Sequence, residues 1–126
     1  MSENQKTLYE LIGKEQLYKL VDRFYHLVGE HPDLAPLFPE DLTETARKQK
    51  QFLTQFLGGP QLYTEEHGHP MLRARHMPFP ITPERAQDWL SCMAQAMVDT
   101  ELEEPLRSQF FSRLSYTARH MVNTQE

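Results

Sequence analysis

The chain has 126 residues, enough for one hydrophobic core, so a single domain over residues 1–126 is expected. Its formal net charge is −5, with 18 acidic against 13 basic residues, which argues against nucleic acid as a default partner. A single cysteine rules out an intrachain disulfide, and no apolar run approaches the ~20 residues that span a bilayer.

The first residues, MSENQKTLYELIG, lack a basic start followed by an apolar stretch, so no signal peptide and a cytoplasmic location are expected. Thr7 to Ile12 reads as a short helix ending near Gly13. Glu15 to Gly29 follows, with Leu17, Leu20, Val21, Phe24, Leu27 and Val28 at helical spacing. His31-Pro32 ends it, and Asp33 to Phe38 forms a short apolar turn closed by Pro39. Asp41 is expected to cap a helix over Leu42 to Leu57, with the Glu44 carboxylate reaching back. Gly58-Gly59-Pro60 stops that helix. Gln61 to His69 shows no clean periodicity and reads as loop. Pro70 is expected to open a short helix running to about His76. Thr82-Pro83-Glu84 starts another, carrying Ala86, Trp89, Leu90, Met93, Met97 and Val98. Pro105 opens the last helix, with Leu106, Phe110, Leu114 and Met121 on one face. Strand signals are almost absent, so the fold class is all-α.

Among six histidines, His76 stands out. Its flanks, Arg73, Arg75 and Met77-Pro78-Phe79-Pro80, restrict the backbone, and a metal-ligating histidine needs one fixed orientation. The basic cluster suits one small anionic group, such as a carboxylate pair on a cofactor. Glu66 and His69 match one half of a di-iron pattern, but no second pair exists and Gly68 and Pro70 break the helix it needs. Thr45 and Gln49 share a face with Phe52, Leu53 and Phe56, where a glutamine without a partner is costly. Tyr25 and Trp89 can be read as core fillers or as donors to a bound ligand. Lys48 reaches either water or an anionic cofactor edge. Cys92 lies in an apolar run and reads as a buried, inert thiol.

Phe24-Tyr25, Ala35-Pro36-Leu37-Phe38-Pro39, Thr45 through Phe52, Leu57-Gly58-Gly59-Pro60, Arg73-Ala74-Arg75-His76 and the following Trp89 together resemble the truncated haemoglobins of group II. The resemblance covers nearly the whole chain. It implies a two-on-two helical sandwich around haem b, with His76 as the iron ligand. Tyr25, Gln49 and Trp89 would then face the iron from the opposite side and bind dioxygen or another diatomic ligand. Phe38 would pack on the haem face, Thr45 and Lys48 would lie at its edge, and Tyr63 and Arg75 would contact propionates. Phe52, Leu53 and Met93 would line the apolar pocket. Two departures stand out: Gly13-Lys14 where the family often has two glycines, and Phe38 where some members carry tyrosine.

Donors aimed at bound dioxygen imply very tight binding through slow release, which suits storage, sensing or redox chemistry better than delivery. Peroxidase-like or nitric-oxide-converting turnover is the alternative. Either would need a separate reductase, because the chain carries no flavin or nicotinamide fingerprint. A haem-free helical interaction module is the remaining class. With no long unexplained apolar stripe, a monomer is expected.

Overall fold

The computed structural model describes residues 6–77 and 79–124. Helix α1 (Leu8–Ile12) is held by a reciprocal cap: the Glu10 N–H donates to Thr7 Oγ1 at 3.1 Å and the Thr7 N–H donates to the Glu10 carboxylate at 2.9 Å. Gly13, at φ 90°, makes the turn into α2 (Lys14–Glu30). One glycine therefore suffices where two were the family expectation. After a 3-10 turn at Ala35–Leu37 come α3 (Thr43–Phe56), α4 (Leu62–His67), α5 (Leu72–His76), α6 (Pro83–Asp99) and α7 (Leu106–Met121). There is no strand among the described residues.

Helix α2 packs on both α3 and α6, and α6 packs on α7, so two helix pairs share one core. Leu17, Leu20, Val21, Phe24 and Val28 of α2 are fully buried in it, with Leu53 of α3, Met93 and Met97 of α6 and Phe110 of α7. Each such side chain contributes about 1.5–3 kcal/mol relative to exposure. Val98, expected on the apolar stripe of α6, is exposed instead. It lies one position past Met97, beyond the edge of the buried stripe.

Gly59 lets α1 close against the end of α3. A Cβ there would lie 2.6 Å from the Tyr9 ring and 2.9 Å from Thr54 Cγ2. The close approach is used: the Tyr9 N–H donates to the Leu57 carbonyl at 3.0 Å.

Three elements differ from the sequence expectation. Residues 61–69, read as loop, contain α4. Its helix is fixed from outside: Gln55 of α3 donates to the Thr64 hydroxyl at 2.9 Å and accepts from the Thr64 N–H at 2.9 Å. Helix α3 begins at Thr43 rather than Leu42. Asp41 does accept from the Thr43 N–H at 3.0 Å, but Glu44 turns forward to Arg47 instead of reaching back. Helix α5 begins at Leu72, not Pro70, because Met71 takes the left-handed conformation at φ 47°. Pro78, expected to help pin the His76 segment, lies outside the described residues.

Arg47 also clamps α4 to α3 by donating to the Glu66 carboxylate at 3.0 and 2.7 Å. The Arg47 guanidinium, with Gln51, holds the Glu66 carboxyl at about 2, below its ordinary value of 4.5. A lowered folded value means the clamp is fully present above the unfolded value and is lost as pH falls through the folded one. The stability difference between wild type and Glu66→Gln is therefore expected to be constant above about pH 5.5 and to shrink steadily below about pH 4.5. Urea unfolding of both proteins at several pH values checks this. A difference that stays flat down to pH ~3 would remove Glu66 from the account.

Candidate ligand pocket

A cavity of about 320 Å³ opens between α3, α5, α6 and α7. Its size falls at the lower end of small-molecule sites. The lining is largely apolar, with a few polar groups set at defined points.

His76, the last residue of α5, lines the cavity and is half-buried. Its Nδ1 lies 2.7 Å from the Leu72 carbonyl oxygen, one turn back on the same helix. A carbonyl only accepts, so Nδ1 carries a proton, and in the neutral ring the lone pair is then on Nε2. That is the state a metal-ligating imidazole needs.

Tyr25, Gln49 and Trp89 also line the cavity, from α2, α3 and α6. Phe24 sets the spacing of two of them. Its ring meets Tyr25 edge-on at 4.8 Å and Trp89 edge-on at 5.2 Å. Phe38 closes on the other side of Tyr25, edge-on at 6.0 Å. Burial pushes the Tyr25 hydroxyl well above its ordinary range, so it remains an O–H donor at any physiological pH. No buried side-chain polar atom lacks a partner among the described residues.

Thr45 and Gln49, one turn apart on α3, both face the cavity, and Phe52 and Leu53 continue the wall. Lys48 is exposed at the rim. Phe52 meets Tyr63 edge-on at 6.0 Å, and the Arg75 guanidinium lies over the Tyr63 ring at 5.7 Å. This ladder ties α3, α4 and α5 together along one edge. Arg75 donates to the Pro70 carbonyl at 2.6 Å, and Arg85, a second rim cation, donates to the Pro80 carbonyl at 2.7 Å.

Of the residues singled out from sequence, Met93 does not line the cavity. It is fully buried in the core between the helix pairs. Helical spacing put it one turn past Trp89, but spacing cannot say which of two buried faces a residue takes. Sequence reasoning missed the wall made by Leu114, Thr117, Ala118 and Met121 of α7, together with Leu72, Ile81 and Arg85. The signal was present: residues 114, 117, 118 and 121 follow helical spacing, but Leu114 and Met121 were read as core alone.

The other histidines stand apart. His26 is exposed and pairs with Glu30, and His67 lies 2.8 Å from Gln51. His31, Asp33 and Asp88 bring possible ligand atoms within 4.8 Å of one another. However, His31 Nδ1 already accepts from the Asp33 N–H at 3.1 Å. Glu66, half of the di-iron pattern, is taken by Arg47 and Gln51. Cys92 is buried, and burial pushes its thiol up, as expected for an inert side chain.

The sequence matches the family of bacterial-like globins over residues 7–123. It is 65% identical over 126 residues to the group 2 truncated hemoglobin YjbI of Bacillus subtilis (strain 168), covering 100% of this chain and 96% of the relative. The chain belongs to the group II truncated globins. The crystal structure of the group II truncated hemoglobin from Bacillus anthracis superposes with a TM-score of 0.94 at 65% identity, covering 96% of this chain and 94% of that one. The X-ray structure of a truncated oxygen-avid haemoglobin from Bacillus subtilis gives 0.92 at 68% identity, covering 94% and 100%. The all-α fold is thus the two-on-two arrangement of this group, and the protein is a haem globin.

The residues present suit such a group. One imidazole is tethered through Nδ1, which leaves Nε2 for a metal, the walls are mostly apolar, and Lys48, Arg75 and Arg85 add cationic groups that suit carboxylates. No helix among the described residues is long and apolar enough to cross a membrane.

Proposed function

We propose that this globin holds haem b through His76 Nε2 and binds dioxygen with very high affinity because release is slow. The observation that carries the reading is that one cavity is lined both by a tethered imidazole and by three side chains with polar hydrogens. His76 has Nδ1 engaged by the Leu72 carbonyl, which leaves Nε2 for a metal, and Tyr25, Gln49 and Trp89 bring O–H and N–H donors to the same cavity. When bound, haem supplies an iron that takes a diatomic ligand. The chain's own part is to orient that ligand, donate to its negative end and exclude water. Lys48 and Arg75 would pair with the propionates, Thr45 and Tyr63 would border them, and Phe38, Phe52 and Leu53 would pack on the ring.

Slow release suits storage, sensing or redox chemistry on the ligand. Turnover of peroxide or nitric oxide would draw electrons from a separate reductase. The B. subtilis relative described as oxygen-avid supports the affinity reading. Under it the chain works as one cytoplasmic, monomeric domain.

The test is an absorption spectrum of the purified protein, reduced, in air and then under carbon monoxide. A Soret band that shifts with the gas is expected. A colourless protein that also refuses added haemin would sink the reading and leave a helical interaction module.

A further inference from the structure

Asn123, just past the end of α7, has its side-chain amide fully used. Nδ2 donates to the carbonyl oxygens of His76 at 3.1 Å and Phe79 at 3.0 Å. Oδ1 accepts from the Ile81 N–H at 2.9 Å and from the Thr124 hydroxyl at 2.9 Å. The Asn123 N–H donates to the Ile81 carbonyl at 3.0 Å. One residue 47 positions downstream of His76 thus closes both ends of segment 76–81. Arg73 draws in the same tail from α5, donating to the carbonyls of His120 at 2.7 Å and Val122 at 2.9 Å. The pattern needs two donors and an acceptor on one short side chain, which among side chains of this size only asparagine has.

We propose that Asn123 is the positioning residue for His76, acting through its main chain. The inference rests on His76 being the iron ligand. The ring is tethered at Nδ1 by Leu72, and its backbone carbonyl by Asn123. With the Phe79 N–H, which also donates to the His76 carbonyl at 2.9 Å, these contacts hold the residue that carries Nε2; a partner on the ring itself is worth about 10–100-fold in metal affinity, which bounds a main-chain tether from above.

The test compares wild type with Asn123→Asp, Asn123→Ala and Arg73→Met. An aspartate would turn oxygens toward the two carbonyls that the amide now satisfies, so it is expected to be the worst of the three. Resonance Raman of the ferrous, unligated protein reads the iron–histidine stretching band directly. Both Asn123 variants are expected to shift or broaden that band, and to release haem to excess apomyoglobin faster by up to about 10-fold, the lower end for a lost ring partner. Arg73→Met, which removes two hydrogen bonds to the same tail but keeps the Asn123 amide, is expected to shift the band less than either Asn123 variant. In the haem-free proteins, amide exchange at Phe79 and Ile81 should quicken in the Asn123 variants while α2 and α6 stay protected. An unchanged band in both Asn123 variants, or an equal change in Arg73→Met, would overturn the proposal. A wild type without the band would overturn the assignment of His76 as well, so the two failures are told apart by the wild-type spectrum.

Discussion

His76→Ala is expected to abolish stable haem retention while leaving the helical fold intact. The side chain is half-buried on a short helix whose helical packing partner is α7, and it contributes nothing to the core of α2, α3, α6 and α7. Its loss therefore costs little in packing. It removes the imidazole whose tautomer the Leu72 carbonyl fixes. Losing a mere partner of a ligating histidine costs about 10–100-fold in affinity, so losing the ligand should accelerate haem release by more than about 100-fold. Transfer of haem to excess apomyoglobin, followed at the Soret band, measures the rate, and far-ultraviolet circular dichroism checks the fold. Retention within a few-fold of wild type would move the ligand to another residue.

Tyr25→Phe and Trp89→Phe should each speed oxygen dissociation. Tyr25 is 7% exposed and its hydroxyl stays protonated, so it can only donate or accept as O–H. A hydrogen bond to a ligand atom carrying negative charge contributes roughly 1.5–3 kcal/mol. At about 1.4 kcal/mol per tenfold, the tyrosine change is worth on the order of 10- to 100-fold in release rate. The phenylalanine keeps the edge-on contacts to Phe24 and Phe38, which isolates the hydroxyl. Trp89→Phe also thins the packing against Phe24, so it tests the indole donor less cleanly. Stopped-flow release into a carbon monoxide solution measures both. Rates within twofold of wild type in both variants would discard the donor argument.

The polar residues facing the cavity were largely legible because they are local in character, whereas the apolar wall from α7 was not. A polar residue on an apolar helical face, as with Gln49 and Thr45, is visible from spacing alone. So is a histidine among prolines and arginines. Helix α4 was not legible, because its register is set by Gln55, Arg47 and Gln51 on another helix rather than by its own pattern. The cap at Asp41 was half legible. Its carboxylate bonds to the backbone as expected, but the choice of Glu44 between the helix start and Arg47 is decided by side-chain geometry. Met93 shows the same limit within one helix, since periodicity marks it as buried without naming its neighbours. Asn123 carried no local signal at all. Its role exists only because the tail folds back across residues 76–81.

The two walls of the pocket are built differently. Tyr25 and Trp89 stand on long helices that press directly on each other through the centre of the molecule. His76 stands on a single helical turn and a half, whose surroundings are tied down by hydrogen bonds from a terminal tail. With the roles proposed for these residues, cofactor capture and gas escape would rest on separate pieces of the chain. Substitutions in the tail would then change how long the cofactor stays more than how long the gas stays, and substitutions along α2 the reverse. A lineage could retune either lifetime independently, in small steps, on an unchanged scaffold.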